Sequence, residues 1–318
     1  MEHIPPSNHV ISRSNSSVPN VSLFEKVRYN AGLLLMRMRD GDPVAAINAI
    51  LQEVDEVRMI FEETTGKQAI DSAVLEIGFG ARPFRAFALS CVFGAVVAVD
   101  LDAPVLTVRD CRRVFRTNGV ERGLKSLARH LLFDGRLWKT FHQALKKKHE
   151  HYRPESAQFI VANAGSETFW VKLGNKPDLI FSSDVFEHIP FEDLEVLVRK
   201  TREHLAPGGI VITRPNVFTG ISGGHDLEWY PHRVIGNTSE SAWGHLLEPH
   251  FRVNTFLNRL RRADFADIFK RCGFRIVHDR ALLGRLGERH LTERRRHELR
   301  DYSDYELFSN RVEFVLAT

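Results

Sequence analysis

The sequence predicts an α/β fold built around a mostly parallel sheet. From Ala73 onward, short apolar runs bounded by turn residues alternate with helical segments, a pattern typical of buried parallel strands joined by helices. Later in the chain, a helix at about 258–272 precedes two strand-like runs with no clear helix between them. We therefore expect five βα units, a helix and a final strand pair. The predicted strands are Ala73–Ile77, Ala95–Val99, Phe159–Ala162, Leu179–Ser182, Ile210–Thr213, Phe274–His278 and Arg311–Leu316.

Length and composition exclude several classes of protein. The chain has 318 residues, of which 43% are hydrophobic, enough for one enlarged domain with a packed core. No apolar run reaches the roughly 20 residues of a membrane-spanning helix, and the N-terminus has no apolar signal core. The three cysteines are scattered and indicate neither a disulfide framework nor a zinc cluster. We expect a cytoplasmic protein.

The chain divides into three predicted regions. Residues 1–21, rich in Ser, Asn and Pro, are expected to be a flexible leader. Residues 22–70 are expected to form a helical cap of two helices, 22–41 and 44–65, that covers the active site or makes a homodimer contact. Residues 71–318 form the main domain. It contains two long connections, a basic helical one at about 119–157 and one rich in Gly, His and aromatics at about 217–257.

The first chemical motif is the turn Glu76-Ile77-Gly78-Phe79-Gly80, where a buried strand ends and a helix begins near Pro83. Gly78 and Gly80 let the backbone turn sharply and let a ligand approach closely. A dinucleotide-binding turn would carry a third glycine where Pro83 stands. The carboxylate of Glu76 would repel a pyrophosphate but could accept the ammonium group of a methionine moiety. The turn therefore favours S-adenosylmethionine over a dinucleotide.

Polar residues also follow the next three strands. Asp100 ends the second strand, 20 residues after Gly80, where a carboxylate could accept both hydroxyls of a ribose. Asn163 follows the third strand and could reach the amino group of an adenine, although an asparagine in a turn is also common for local reasons. Ser183 and Asp184, after the fourth strand, would form the floor beneath a sulfonium.

Taken together, these motifs resemble the class I, Rossmann-like S-adenosylmethionine-dependent methyltransferases, particularly the group with an Asp-Val-x-Glu-His-Ile segment after strand four. The resemblance covers about residues 70–216, and the terminal strand pair more loosely. It implies a seven-stranded sheet with an antiparallel last strand, helices on both faces and cofactor at the carboxyl ends of the strands. Arg82-Pro83 and Asn163 depart from the frequent third glycine and the frequent Asp. The cofactor-binding residues implied in this way are Glu76, Gly78, Phe79, Gly80, Asp100, Leu101, Asn163, Ala164, Ser183 and Asp184.

The methyl acceptor is expected to bind near residues 219–232, which follow the fifth strand. Transfer to a hydroxyl gains from a general base, for which histidine suits neutral pH, and His225 and His188 are the candidates, with His232 third. Each histidine could instead only bond neighbouring backbone, and Trp229 could be a buried anchor. His225, Asp226, Glu228 and His232 could also ligate a metal ion, but no diagnostic ligand spacing is present, so no metal ion is predicted. The predicted substrate-binding residues are Asp226, Trp229, Tyr230 and His232.

The leading functional hypothesis is O-methylation of a hydroxyl on a small molecule or glycan. One alternative is methylation of RNA, using the basic segment that contains Lys146-Lys147-Lys148. Against it, no Asn-Pro-Pro-Tyr-like base pocket follows strand four, and the net charge is only +4, so no nucleic-acid partner is expected. Another alternative is a non-catalytic domain that binds the cofactor or a partner protein.

Overall fold

The computed structural model describes residues 28–29, 31–32, 35–36, 42–80, 82–149, 152, 156–248, 251 and 255–318. The leader predicted for residues 1–21 lies outside these residues. In the predicted helix at 22–41, the few described residues before Asp42 are helical. None of the described helices is long and apolar enough to cross a membrane.

One seven-stranded sheet organises the fold, with the strand order β3-β2-β1-β4-β5-β7-β6. Strand β7 is antiparallel to both of its neighbours, β5 and β6, and the remaining pairs are parallel. This confirms the mostly parallel sheet with an antiparallel last strand, and each predicted strand is present. The strands are β1 Ala73–Ile77, β2 Ala95–Asp100, β3 Ala157–Val161, β4 Leu179–Ser183, β5 Ile210–Arg214, β6 Arg275–Ala281 and β7 Val312–Ala317.

Helices cover both faces of the sheet, as the resemblance implied. Helices α1, α2 and α4 pack on one face, and α5, α6 and α9 pack on the other. The helices are α1 Pro43–Thr65, α2 Phe84–Leu89, α3 Val108–Arg129, α4 Gly135–Lys148, α5 Glu167–Leu173, α6 Phe191–His204, α7 Pro231–Val234, α8 Gly244–Leu247, α9 Arg262–Arg271, α10 Glu293–Glu298 and α11 Asp304–Leu307.

Capping interactions determine where helix α1 begins and ends. Pro43 occupies its first turn, and the Asp42 side chain caps it by accepting a 2.8 Å hydrogen bond from the Val44 N–H. Gly66, at φ 70°, ends it and donates its N–H to the Glu62 carbonyl. The apolar side of the helix is buried against α2, α4 and the sheet. Helix α1 therefore packs as one of the layer helices of the domain.

The two long connections differ in kind. The described residues of 119–157 are largely helical, as predicted: α3 is kinked at Gly119 and joins α4 through a π-helical turn, His130–Asp134. The described residues of 217–257 form short helices and turns around a small apolar core shared with residues of the β6–β7 connection. We call this core the cap cluster; its buried members are Ile221, Trp229, Val234, Ala242, Trp243, Leu299, Leu307 and Phe308.

Candidate active site

A cavity of about 470 Å³ lies at the carboxyl ends of β1 to β4. This is where open α/β sheets bind ligands, because the strand-to-helix turns of neighbouring strands meet there. The sequence-predicted residues that line it are Gly78, Gly80, Asp100, Leu101, Asn163, Ala164, Asp184 and His188.

The first turn approaches the end of β4 closely. Gly78 has φ 85°, and a Cβ on it would lie 2.2 Å from Val185 Cγ2, so only glycine fits. Its N–H donates to the Val99 carbonyl at 2.8 Å, which fixes the turn against β2. The Phe79 side chain is buried in the core, edge-on to Phe159, and only its backbone belongs to the turn.

Glu76 lies behind this turn with 2% of its surface exposed. Burial raises the pKa of its carboxyl to about 8; the charges of Glu53 and Asp100 add to this effect, and Arg85 opposes it. Among the described residues, its Oε2 has no hydrogen-bond partner. The side chain is therefore a buried carboxyl, protonated at neutral pH, that an ammonium group would stabilise in its ionised form.

Asp100 is held at the end of β2 by two backbone donors. Its Oδ2 accepts from the Gly80 N–H at 2.8 Å, and its Oδ1 accepts from the Asp102 N–H at 3.0 Å. Burial raises its pKa. Each oxygen keeps a second lone pair, so the carboxylate can still accept hydroxyl donors from the cavity.

Asn163 and Ser183 differ in their access to the cavity. The Asn163 Oδ1 accepts a hydrogen bond from the Gly165 N–H at 2.8 Å, so the side chain has the local role in the turn that the sequence analysis kept as an alternative. Asn163 also lines the cavity. Ser183 does not line the cavity; it is buried, and its hydroxyl donates to Glu53 Oε1 at 3.2 Å. Ser183 thus supports the site from beneath.

A network of ion pairs, which the sequence did not predict, surrounds Ser183. Arg85 bridges Glu53, through a 2.6 Å contact, and Asp184, through a 2.9 Å contact. Glu53 also contacts Arg311 at 2.8 Å and Arg214 at 3.2 Å. Glu53 lies on α1, so no local pattern in the sequence connects it with the strand ends.

His188 and His225 come together, with their ring centroids 5.2 Å apart. His188 lines the cavity, and its Nδ1 lies 2.9 Å from the Phe256 carbonyl. Because a carbonyl only accepts, Nδ1 carries the hydrogen and Nε2 keeps its lone pair. Burial lowers the pKa of His225 to about 4, so its imidazole is neutral at pH 7.

Glu187 is a further site residue that the sequence analysis left without a role, although it directly precedes His188. It is 3% exposed, and burial raises its pKa. Its Oε1 accepts from Asn216 Nδ2 at 2.6 Å and lies 3.9 Å from His188 Nε2. Glu187, His188 and His225 each offer a possible metal-ligating atom, all within 4.8 Å of one another.

The four predicted substrate-binding residues do not line the cavity. Trp229 is 2% exposed within the cap cluster, and its Nε1 donates to Ser241 Oγ at 3.0 Å. Its indole is therefore a buried anchor, which is the alternative role that the sequence analysis gave for Trp229. Asp226 caps the short turn at 227–229 through the Glu228 N–H, and the rings of Tyr230 and His232 lie 6.2 Å apart.

Comparison of the chain with known solved structures finds distant likenesses. An S-adenosylmethionine-dependent methyltransferase from Clostridium acetobutylicum ATCC 824 is 11% identical, with a TM-score of 0.44, 91% of this chain covered and 98% of the other. Magnesium protoporphyrin IX methyltransferase from Synechocystis PCC 6803, solved with bound SAH, is 14% identical, with a TM-score of 0.41 and coverages of 84% and 81%. The CcbJ methyltransferase from Streptomyces caelestis is 13% identical, with a TM-score of 0.43 and coverages of 84% and 95%.

The sequence itself gives the family. No curated protein matches it, but the family described as "Methyltransferase domain" matches residues 49–279, from within α1 to within β6. The matched region contains the glycine turn, Asp100 and the His188–His225 pair. The chain therefore belongs to the class I, Rossmann-like methyltransferases, enzymes that use S-adenosylmethionine as their cofactor.

Proposed function

We propose that this enzyme transfers a methyl group to a hydroxyl of a small molecule or glycan. The observation that carries the proposal is the position of His188 in the cavity wall, with the ring of His225 beside it. An alcohol is a weak nucleophile, and its attack is helped by a group that accepts its proton as the new bond forms.

The hydrogen bonding of His188 suits that task. Its Nδ1–H donates to the Phe256 carbonyl, which orients the ring and leaves the Nε2 lone pair for a hydroxyl. When bound, the cofactor supplies an electrophilic methyl group on its sulfonium. Bonding of the hydroxyl oxygen to this methyl carbon would break the carbon–sulfur bond and leave S-adenosylhomocysteine. His188 would take the hydroxyl proton on Nε2, and His225, uncharged at neutral pH, packs against the same imidazole.

We assign the cofactor-binding roles by the chemistry of each group. Glu76 accepts hydrogen bonds from the ammonium group of the methionine moiety, and Asp100 accepts them from the ribose hydroxyls. Asn163 and Ala164 contact the adenine, and the turn at Gly78–Gly80 lets the ligand approach the backbone. The supporting observations are the unpartnered oxygen of Glu76, the two backbone donors that hold Asp100, and the cavity lining.

The two basic runs give little support to a nucleic-acid acceptor. Lys148, in the first run, pairs with Asp55. In the second run, Arg294 and Arg295 contact Glu298 at 3.0 Å and 2.8 Å, and Arg296 pairs with Asp304. Paired cations are already partly neutralised and offer less attraction to phosphates.

The test is a screen of metabolite and glycan extracts with cofactor carrying a labelled methyl group. We expect a product labelled on a hydroxyl oxygen, and we expect His188→Ala to lower kcat by about 10²–10⁴-fold. His297→Ala, an exposed histidine on α10, is the matched control and should retain the wild-type rate. A product labelled on nitrogen or carbon, or a wild-type rate for His188→Ala, would contradict the proposal.

A further inference from the structure

We propose that Glu187, His188 and His225 form a binding site for a divalent transition-metal ion such as zinc. One ligating atom of each residue lies within 4.8 Å of the other two. Two imidazoles and a carboxylate form a common donor set for zinc and for other ions that keep open coordination positions. The set joins the end of β4 to the connection after β5, so the sequence does not reveal it as a motif.

Outer contacts already orient two of the three ligands. His188 Nδ1 donates to the Phe256 carbonyl at 2.9 Å, which presents Nε2 as the ligating atom. Glu187 Oε1 accepts from Asn216 Nδ2 at 2.6 Å, which fixes the plane of the carboxylate. Metal-binding histidines and carboxylates usually have such supporting partners, because these hold the ligand's lone pair towards the ion.

An independent observation points to a missing positive partner. Glu187 is 3% exposed, and its Oε2 has no hydrogen-bond partner among the described residues. A buried carboxylate oxygen without a donor loses its hydration and gains nothing in return. Among the described residues, the imidazole of His225 forms no hydrogen bond either, so its nitrogens are available. A bound cation would be ligated by the Glu187 oxygen and by a nitrogen of His225.

The distances allow a site after small movements. At metal–ligand distances of about 2.1 Å, tetrahedral ligands lie about 3.4 Å apart, so atoms now within 4.8 Å of one another would need to approach by up to about 1.4 Å. Because His188 lines the cavity, the open positions of the ion would face it. A ligated Nε2 has no lone pair left for a hydroxyl proton, so the bound ion and the base step of the proposed function exclude each other at His188. The binding of the ion does not rest on the proposed function.

The experiment measures metal binding directly. Full-length protein is freed of metal with a chelator and dialysed, then titrated with Zn²⁺ by calorimetry and with Co²⁺ while its visible absorption is recorded. We expect one ion per chain and a cobalt spectrum typical of nitrogen and oxygen ligands. Glu187→Gln and His225→Ala should each weaken Zn²⁺ binding at least tenfold, and the exposed-site control His297→Ala should bind like the wild type.

Two further measurements make the outcome decisive. The affinity of each variant for S-adenosylhomocysteine and its Tm without metal show whether it is folded. No ion bound to the wild type, or equal Zn²⁺ affinity in wild type, Glu187→Gln and His225→Ala, would overturn the metal site. Metal bound as expected, with no hydroxyl acceptor methylated, would instead contradict the proposed function and leave the site standing.

Discussion

The guanidinium of Arg85 joins two carboxylates that are far apart in the sequence. Its Nε donates to Glu53 at 2.6 Å, and its Nη2 donates to Asp184 at 2.9 Å. Glu53 belongs to α1, whereas Asp184 lines the cavity after β4. Helix α1 therefore helps to position a residue of the cavity wall, in addition to packing against the sheet.

The first prediction concerns Glu53. Burial alone would raise its pKa, but Arg85, Arg311 and Arg214 more than offset burial and lower the pKa to about 2. Glu53→Gln leaves these arginines short of one negative charge, and we expect a loss of about 3 kcal/mol of unfolding free energy. Urea unfolding at pH 7 measures it. The control is Glu63→Gln, an exposed site on α1, which should change little.

The same carboxylate predicts a dependence of stability on pH. Its pKa in the fold lies below the value of 4.5 in an unfolded chain, so its stabilising effect is complete above pH 4.5 and is lost as the pH falls towards 2. The stability difference between wild type and Glu53→Gln should therefore shrink between pH 5 and pH 3. A difference independent of pH would show that the charge of Glu53 contributes nothing.

The second prediction concerns Asp100 and the cofactor. Asp100→Asn keeps the size of the side chain but replaces one charged acceptor oxygen by a donor that faces the Gly80 N–H or the ligand. Losing a hydrogen bond to a charged acceptor costs about 1.5–3 kcal/mol, so affinity for S-adenosylhomocysteine should fall at least tenfold by calorimetry. Asp71→Asn, at an exposed site before β1, should bind normally.

The third prediction follows from the protonated state of Glu76. Its pKa of about 8 means that the free protein holds a proton there at pH 7, and a bound ammonium group should displace it. Binding of S-adenosylhomocysteine should then release up to about one proton. The heat measured in phosphate and in Tris should therefore differ for the wild type and agree for Glu76→Gln. Equal proton release by both proteins would exclude Glu76 as the ammonium partner.

The fourth prediction concerns Gly78. Alanine there would occupy φ 85°, which costs about 1–2 kcal/mol, and its Cβ would overlap Val185. We expect Gly78→Ala to lose at least about 2 kcal/mol of stability and to bind the cofactor weakly. Gly135→Ala, at the start of α4 with open space around it, is the control and should remain near wild type. Wild-type stability for Gly78→Ala would show that the turn adapts.

Much of the sheet and its turns could be predicted because the signals are local. Buried strands appear as short apolar runs, and the turn after β1 requires glycine at Gly78, whose conformation and close contact with Val185 the structure shows. That Asp100 and Asn163 lie together in the cavity wall could be predicted because each lies at or just after the end of a strand, and parallel strands bring their carboxyl ends to one edge of the sheet. The sequence thus determined the fold class, the seven strands and the cofactor.

Only the tertiary structure decided the rest. The order of strands brings β4 beside β5, and the connection that follows β5 places His225 against His188 and beside Glu187. Packing buries Trp229 in the cap cluster and sets Glu53 among three arginines. These contacts join residues distant in the chain across segments without a regular period. Their proximity is therefore set by the packing of the whole domain, which no local pattern of residues encodes.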